Sequence, residues 1–186
     1  MGGKNVFLKA FFKNPRQIGA VAQTSSFVAD EMTRSINFSK AKCLVEFGSG
    51  MGNMTEKILE KMSPGCILLC FEVDKTLAAK LSQNIQDSRV KIICDSAENL
   101  GEHMAKHGIE KADHIISSIP LTTLPYQTVK NILSYSFQYL RSGGHYIQVQ
   151  YSLATLRQIK YLFSSVAVSF VFLNFPPAFV YVCVKM

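Results

Sequence analysis

The stretch "LVEFGSGMGNMTEKIL", residues 44–59, places three glycines between an apolar run and a helix-like run. Glycine is favoured where the backbone needs φ angles that other residues avoid, or where a ligand approaches the main chain. The spacing is GxGxG, and Asn53 stands where a nicotinamide-binding GxGxxG turn has its third glycine. The stretch therefore predicts a strand, then a ligand-binding turn at Gly48, Gly50 and Gly52, then a helix.

Short apolar runs alternate with longer amphipathic segments through the rest of the chain. We expect strands at residues 43–47, 66–73, 90–94, 114–118 and 145–150, and helices at residues 53–62, 75–86, 97–107, 125–140 and 152–163. This alternation is typical of βαβ units, in which helices cover both faces of a parallel sheet. Two closing apolar runs, 166–173 and 178–185, have no helix between them. The predicted fold class is therefore α/β, a doubly wound, mostly parallel sheet that ends in an antiparallel hairpin.

The composition predicts one compact domain in a reducing compartment. A chain of 186 residues with 48% hydrophobic residues can bury one core. Its five cysteines lack CxxC or Cys/His ligand spacing. We therefore expect the cysteines to be small buried hydrophobic residues that form neither a disulfide framework nor a metal site. The uncharged stretch 161–184 approaches membrane-spanning length. Its β-branched residues, and the breaks at Asn174, Pro176 and Pro177, favour a hairpin instead. No secretory signal peptide is recognisable.

Acidic residues follow the first three predicted strands. Glu46 ends the first strand, Glu72 lies 20 residues after Gly52 at the end of the second, and Asp95 follows the third. Because parallel strands end at one edge of a sheet, we expect these carboxylates near the glycine turn. A carboxylate at Glu72 can accept two hydrogen bonds from a ribose diol, and Asp95 can accept one from an adenine amino group. Helix capping is an equally simple explanation for Glu72 and Asp95 taken singly.

The motifs "VEFGSGMG", "CFEVD" and "CDSAEN", with the terminal hairpin, resemble the class I S-adenosylmethionine-dependent methyltransferases over nearly the whole chain. Within that family, "FFKNPRQIGAVAQTSSFVADEM", "SSIPLTTLP" and "FLNFPPAFVYV" look like the soluble bacterial phospholipid N-methyltransferases, which convert phosphatidylethanolamine toward phosphatidylcholine. The same segments are similar, less closely, to the ribosomal RNA adenine dimethyltransferases. The resemblance implies a seven-stranded sheet, S-adenosyl-L-methionine as methyl donor and S-adenosyl-L-homocysteine as product.

The resemblance also implies a donor site. Its glycine turn would line the aminoacyl portion of the donor, Glu72 its ribose, and Asp95 with Ser96 its adenine. A polar turn at residues 23–26 stands where the family reaches the donor's carboxylate, although it also has the composition of a helix N-cap. Met51 departs from the small polar residue that is common in this loop. The predicted cofactor-binding residues are Gln23, Ser25, Ser26, Glu46, Gly48, Ser49, Gly50, Gly52, Glu72, Val73, Asp95, Ser96 and Ser117.

Residues 117–125 follow the fourth strand and so border the transferred methyl group. Methyl transfer to an amine is an in-line displacement, which needs an aligned lone pair more than a strong base. No histidine is an obvious base, and main-chain carbonyls in a proline-stiffened loop can hold the amine. Leu121 stands where the related adenine methyltransferases stack an aromatic residue on a flipped base. This favours a lipid amine, although Tyr126 can stack from nearby. The predicted catalytic residues are Ser117, Ser118, Pro120 and Leu121.

The N-terminus predicts a helix that lies on a membrane surface. In "VFLKAFFKN", residues 6–14, the apolar side chains fall on an arc of about 140 degrees, with two lysines opposite. Four basic residues precede Asp30, the first acid, which suits an anionic lipid surface or nucleic acid. Packing of these aromatics on the domain's own sheet is the open alternative. The predicted membrane-binding residues are Lys4, Phe7, Leu8, Lys9, Phe11, Phe12, Lys13 and Arg16.

Together these features predict an S-adenosylmethionine-dependent N-methyltransferase of phospholipid metabolism, which converts phosphatidylethanolamine toward phosphatidylcholine. We expect it in the cytoplasm, peripherally attached to the inner membrane face. Residues 1–36 are predicted to supply the amphipathic helix and a donor-covering helix, packed on a core of residues 37–186. An RNA adenine N6-methyltransferase and a non-catalytic donor-binding module are the alternatives. An ornithine lipid as acceptor, the number of methyl groups and the oligomeric state stay open.

Overall fold

The computed structural model describes residues 25–186. The predicted membrane-binding residues of the N-terminus and Gln23 lie outside the described residues. The described chain forms one seven-stranded sheet. Its strands are β1 Cys43–Phe47, β2 Ile67–Phe71, β3 Val90–Ile93, β4 Ala112–Ser117, β5 Leu140–Gln150, β6 Ser165–Val171 and β7 Ala178–Val184.

Helices connect the strands as the alternating pattern predicts. Short 3-10 turns at Ala97–Asn99 and Leu121–Thr123 precede the fourth and fifth helices. The α-helices are α1 Ser26–Thr33, α2 Asn53–Leu59, α3 Lys75–Asn84, α4 Leu100–Lys106, α5 Tyr126–Tyr139 and α6 Leu156–Leu162. Among residues 25–186, no helix combines the length and hydropathy that a membrane span requires.

The strand order is β3-β2-β1-β4-β5-β7-β6, with β1 to β5 parallel and β7 antiparallel to both of its neighbours. This confirms the predicted doubly wound sheet and its closing hairpin. Phe47 is in register with Phe71 on one side and Ser117 on the other, and Ser117 with Gln148. The last residues of the parallel strands therefore lie side by side, and we call this the carboxyl edge.

Two apolar clusters hold the helices on the two faces of the sheet. Side chains of α4, α5 and α6 pack with Phe47 and Phe71 on one face. Side chains of α1, α2 and α3 pack with Leu44 and Leu68 on the other. All five residues of β1 are buried, as expected for a central strand that is covered on both faces. The glycine turn therefore begins from a fully enclosed strand.

Three features differ from the sequence prediction. Strand β5 begins at Leu140 instead of residue 145, because Leu140 pairs with Ala112 through a register shift. Helix α6 begins four residues later than predicted, and the carbonyl of Ser152, outside the helix, accepts a hydrogen bond from the Tyr181 hydroxyl at 2.9 Å. Cys94 is exposed, whereas the other four cysteines are buried as expected.

Candidate active site

The glycine turn after β1 has backbone angles that suit glycine. Gly48, Gly50 and Gly52 have φ of 73°, 54° and 100°. At Gly52 a Cβ atom would also lie 2.7 Å from Leu81 Cδ1, so glycine permits close packing of α2 on α3. At Gly50 no described atom lies within 4 Å of the position that a Cβ would take. The space beside Gly50 is thus open, and its contact with a ligand stays a prediction.

Glu72 ties the end of β2 to this turn. Its Oε2 accepts a hydrogen bond from the Gly50 amide and its Oε1 accepts one from the Asp74 amide, both at 2.9 Å. The N-cap of α3 is Asp74, which accepts from the amides of Thr76 and Leu77. Capping therefore does not explain Glu72. Each carboxylate oxygen has a second lone pair, so Glu72 can still accept ribose hydroxyls beside the turn.

Glu46 is a buried carboxyl directly below the turn. Its Oε2 accepts hydrogen bonds from Thr55 Oγ1 at 2.7 Å and Cys70 Sγ at 3.4 Å. Burial raises the pKa of Glu46 to about 7, although these hydrogen bonds act in the opposite direction. Within residues 25–186, its Oε1 and the Ser49 hydroxyl are buried without a hydrogen-bond partner inside 3.5 Å, although Ser49 lies close enough to Glu46 to oppose the rise of its pKa. Unpartnered buried polar atoms are costly, so their presence indicates a place for polar groups of a ligand.

The turn after β3 is organised by Asp95 and Ser96. Asp95 accepts hydrogen bonds from the Ser96 amide at 2.7 Å and the Asn99 amide group at 3.0 Å, and its Oδ2 lies 2.8 Å from His103 Nε2. His103 and then Asn99 hold the pKa of the Asp95 carboxyl below its usual range. Ser96 Oγ caps the following turn by accepting from the Glu98 amide. The N-cap of this turn is thus Ser96 and not Asp95, and the adenine contact of both residues stays a prediction.

The other predicted donor residues occupy different settings. Val73 is exposed beside Glu72, so its side chain borders the carboxyl edge from outside. Ser25 is the N-cap of α1 and accepts a hydrogen bond from the Val28 amide at 3.4 Å. The N-cap explanation of this polar turn therefore holds for Ser25, and Ser26 is the first residue of the helix. Contact between either serine and the donor stays a prediction.

Residues 118–125, which we call the β4 loop, pack against the glycine turn. The Ser118 amide donates a hydrogen bond to the Phe47 carbonyl at 2.9 Å. A Cβ atom on Gly48 would lie 3.4 Å from both Cγ1 and the amide nitrogen of Ile119. The hydroxyls of Ser117 and Ser118 are buried without a partner inside 3.5 Å among the described residues. The structure thus brings the predicted acceptor segment beside the predicted donor turn.

The predicted catalytic residues do not all face the same side. Leu121 is buried in the core cluster that packs under α5, so its side chain is turned away from the carboxyl edge. Pro120 is exposed, and its carbonyl accepts a hydrogen bond from Thr123 Oγ1 at 2.8 Å. Tyr126, at the start of α5, is exposed. Only the main chain of Leu121 can therefore contribute to an acceptor site in this conformation.

Sequence reasoning missed a buried polar network behind the β4 loop. Gln148 Nε2 donates hydrogen bonds to the carbonyls of Ser117 at 3.2 Å and Ile119 at 3.0 Å. Gln150 Nε2 donates to the same Ile119 carbonyl at 2.9 Å, and the Tyr146 hydroxyl donates to Gln148 Oε1 at 2.5 Å. The signal was available in "YIQVQ", where alternate positions of a buried strand carry polar groups. The network fixes the loop, and it occupies the Ser117 carbonyl that was predicted to accept from an amine.

The four histidines lie away from the β4 loop. His103 contacts Asp95, while His114 and His145 meet edge to face at 5.0 Å near the start of β5. His107 is the C-cap of α4. Within the described part of the chain, no group of three or more His, Cys, Asp or Glu residues could hold a metal ion.

Comparison with known proteins gives a relative that matches from end to end. No family model matches the chain. An ornithine lipid N-methyltransferase of Singulisphaera acidiphila is 26% identical over 180 residues, which is 96% of this chain and 94% of the relative. Two ribosomal RNA small subunit methyltransferases match in part. Methyltransferase H of Burkholderia vietnamiensis is 24% identical over 57% of this chain, and methyltransferase A of Alkaliphilus oremlandii is 28% identical over 44%. These matches span 34% and 28% of the two relatives.

Solved structures share the whole architecture. An O-methyltransferase from Bacillus cereus in complex with S-adenosylhomocysteine superposes with a TM-score of 0.71 at 16% identity, over 100% of this chain and 93% of that one. The N-methyltransferase NodS from Bradyrhizobium japonicum, also in complex with S-adenosylhomocysteine, gives 0.65 at 15% identity over 97% and 96%. The chain has the fold of the class I S-adenosylmethionine-dependent methyltransferases. The curated relatives support methyltransferase activity and S-adenosylmethionine as the cofactor, as the sequence predicts, and the solved structures show the shared fold.

The residues of this methyltransferase fold suit that cofactor. The space beside Gly50 is open, and the carboxylate of Glu72 lies next to it. Glu46 Oε1 is buried and has no hydrogen-bond partner within 3.5 Å in the described chain. These groups can accept hydrogen bonds from hydroxyl and ammonium groups, which the donor carries. The site therefore offers a glycine turn for close approach and carboxylates for polar recognition on neighbouring strands.

Proposed function

We propose that the protein transfers a methyl group from S-adenosylmethionine to the amine of a membrane lipid headgroup, at the cytoplasmic surface of the membrane. The observation that carries the choice of acceptor is the end-to-end match to an ornithine lipid N-methyltransferase. Phosphatidylethanolamine and ornithine lipids both present a primary amine at the bilayer surface. Both are therefore candidate acceptors, and the sequence resemblance favours the first while the relative favours the second.

On the donor side, the chain's task is to bind and orient. S-adenosylmethionine, when bound, supplies an electrophilic methyl group on a sulfonium sulfur. In this proposal Glu72 accepts hydrogen bonds from the ribose, and Gly48 and Gly50 offer bare main chain to the aminoacyl portion. Oε1 of Glu46 is buried and unpartnered within residues 25–186. In this proposal it accepts a hydrogen bond from a polar group of S-adenosylmethionine that lies below the glycine turn. Asp95 and Ser96 border the adenine.

On the acceptor side, the β4 loop holds the amine against the donor turn. Carbonyls of this loop can accept hydrogen bonds from the amine and so aim its lone pair, and the buried serine hydroxyls lie beside them. Gln148 and Gln150 fix the loop from behind through the Ile119 carbonyl. Orientation is the main contribution that these residues can make, because no described histidine lies at the loop. The amine's proton is then released to water before transfer.

The two alternative functions make different demands on the same site. An RNA adenine methyltransferase has partial support, because two ribosomal RNA methyltransferases match 57% and 44% of the chain. Those matches span about a third of the relatives or less, so they support the shared donor-binding core rather than the acceptor. A non-catalytic module would bind the donor and turn over neither substrate.

A labelling assay with separated acceptors tests the proposal. The full chain is incubated with methyl-labelled donor and with vesicles that contain phosphatidylethanolamine, vesicles that contain an ornithine lipid, or ribosomal RNA. We expect label in at least one lipid fraction, and loss of label with Glu72→Ala, which removes the ribose contact. Glu110→Ala, at an exposed residue just before the start of β4 and so at the opposite edge of the sheet, is the matched carboxylate control and should retain activity. Label only in RNA, or donor binding without turnover on any acceptor, would contradict the lipid proposal.

A further inference from the structure

The turn between β6 and β7 exposes three large apolar side chains. Phe172, Leu173 and Phe175 are 73%, 64% and 88% exposed. Between them Asn174 is buried, and its Nδ2 donates a hydrogen bond to the Pro176 carbonyl at 2.6 Å. The hydrogen bond of Asn174 thus stabilises the turn, while its three large apolar side chains are exposed to solvent. We call Phe172, Leu173 and Phe175 the apolar tip.

The apolar tip lies on the same side of the molecule as the donor site. Gln150, the last residue of β5, pairs with Phe179, and Val171 pairs with Ala178. The turn at residues 172–177 therefore extends beyond the carboxyl edge. Leu153, in the loop that follows β5, is also exposed there. An apolar projection thus borders the site where a lipid amine is proposed to react.

The second part of the chain carries positive charge without any acid. All 13 acidic residues occur at or before Asp113, whereas residues 114–186 contain five lysines and arginines. Lys130 and Arg157 are exposed in the first two turns of α5 and α6, which begin at the carboxyl edge. Residues 114–186 are complementary in charge to an anionic surface, whereas the acids Glu72 and Asp95 follow β2 and β3, at the other side of the sheet from the tip.

From this juxtaposition we infer that the apolar tip inserts into the interface of an anionic bilayer and turns the carboxyl edge toward the headgroups. The inference rests on the proposed function, because a lipid amine must reach the β4 loop from the bilayer surface. Exposed phenylalanine and leucine on a side of the molecule that also carries lysine and arginine are typical of interfacial membrane contacts. A second copy of the chain would bring the same positive charge to the contact and be repelled. RNA would also be attracted by the charge, and Phe172 and Phe175 could stack on its bases, so RNA binding at the tip is the outcome that the test must separate from membrane binding.

Vesicle binding of tip variants tests this contact. The full chain and the variant Phe172→Ser, Leu173→Ser, Phe175→Ser are sedimented with vesicles of equal parts phosphatidylethanolamine and phosphatidylglycerol. We expect vesicle affinity to fall at least about tenfold, because three exposed apolar side chains lose their burial in lipid. Tyr161→Ser is the matched control, since Tyr161 is 89% exposed near the end of α6, close to where β6 starts and away from the carboxyl edge. Its affinity should stay within about twofold of the wild type.

Two further measurements separate the membrane contact from catalysis. Donor affinity by calorimetry and turnover on a detergent-dispersed aminolipid should be unchanged in the tip variant, while turnover on vesicles falls in proportion to binding. Unchanged vesicle affinity of the tip variant would overturn the inference. A dimer or an RNA complex that the wild type forms and the tip variant does not form would also overturn it. If the wild type methylates no aminolipid in any form, the proposed function fails, yet the vesicle comparison still decides whether the tip binds membrane.

Discussion

The protonation of the Glu46 carboxyl is coupled to the folding of the protein. Burial raises the pKa of its carboxyl to about 7, so between pH 4.5 and 7 the folded protein keeps a proton that the unfolded chain releases. The contribution of Glu46 to the free energy of unfolding therefore decreases as pH rises through this window, by about 3 kcal/mol at most. A ligand that donates a hydrogen bond to the ionised carboxylate would offset this cost.

Glu46→Gln should therefore stabilise the ligand-free protein and weaken donor binding. At pH 8 we expect the variant to gain about 1 to 3 kcal/mol over the wild type in urea unfolding, and at pH 4 we expect no difference. Donor affinity, measured by calorimetry at pH 8, should fall about tenfold or more, because a charged hydrogen bond is lost. Parallel pH profiles for the two proteins would contradict the assignment of the raised pKa to Glu46.

Gln148 is the residue at which a positioning role for the β4 loop is best tested. Gln148→Leu removes the hydrogen bonds to the Ser117 and Ile119 carbonyls and leaves the Tyr146 hydroxyl without its acceptor. We expect kcat on the lipid acceptor to fall about tenfold or more, with donor affinity unchanged, since misplacement of the reacting groups slows transfer. Gln148→Leu with Tyr146→Phe is the control that removes the orphaned hydroxyl. If the double variant regains both the stability and the kcat that Gln148→Leu loses, the role of Gln148 is structural only.

At the scale of elements, buried β-branched runs were the most predictable feature. Strand β1 was predicted residue for residue, because five buried positions precede a glycine turn. The start of β5 was missed because "RSGG" has the composition of a turn, whereas pairing of Leu140 with Ala112 extends the strand through it. At the site, the sequence indicated Glu72 as a ribose-binding carboxylate. It could not show that the N-cap of α3 is Asp74 and not Glu72. The inward rotation of Leu121 depends on packing under α5, which no local pattern encodes.

The junction of β4 and β5 should make stability depend on pH. Burial, then the charges of His145 and Arg141, lower the pKa of His114 to about 4, although Asp113 acts in the opposite direction. His114 Nδ1 accepts a hydrogen bond from the His145 amide at 3.2 Å, which requires a neutral ring. Below the ordinary histidine pKa of 6.5 the unfolded chain binds a proton that the folded protein rejects. The contribution of His114 to stability should therefore fall from pH 6.5 to pH 4, by about 3 kcal/mol at most, against the opposite contribution of Glu46.

His114→Gln is expected to remove most of that dependence while keeping an acceptor for the neighbouring amide. Urea midpoints of the wild type and the variant, measured at pH 7 and pH 4.5, give the comparison. The wild type should lose more stability than the variant on acidification. Equal losses would assign the acid sensitivity to other groups, of which His145 is the nearest, since burial also lowers its pKa.

For the whole molecule, the two candidate membrane contacts sit in different parts of the chain. The basic N-terminal segment is recognisable in sequence, and its helix is proposed to lie on the membrane. The acid-free stretch after Asp113 is equally visible in sequence. Its meaning depends on the fold, because only the antiparallel pairing of β7 with β5 brings residues 172–177 beyond the carboxyl edge. Local patterns therefore predict one contact, and topology is needed to find the other.

If both contacts engage one bilayer at the same time, their effects on vesicle affinity should multiply. Lys9→Glu with Lys13→Glu reverses two charges, and affinity for anionic vesicles should fall about tenfold or more and lose much of its salt dependence. The apolar tip variant should reduce affinity with the salt dependence retained, because burial of apolar area is not screened. Combining both sets of changes should give about the product of the two losses, because each bound contact holds the other at the bilayer surface and their free energies of binding then add. A combined variant no weaker than the charge-reversed one would mean that the N-terminal segment binds membrane alone and that the tip faces water.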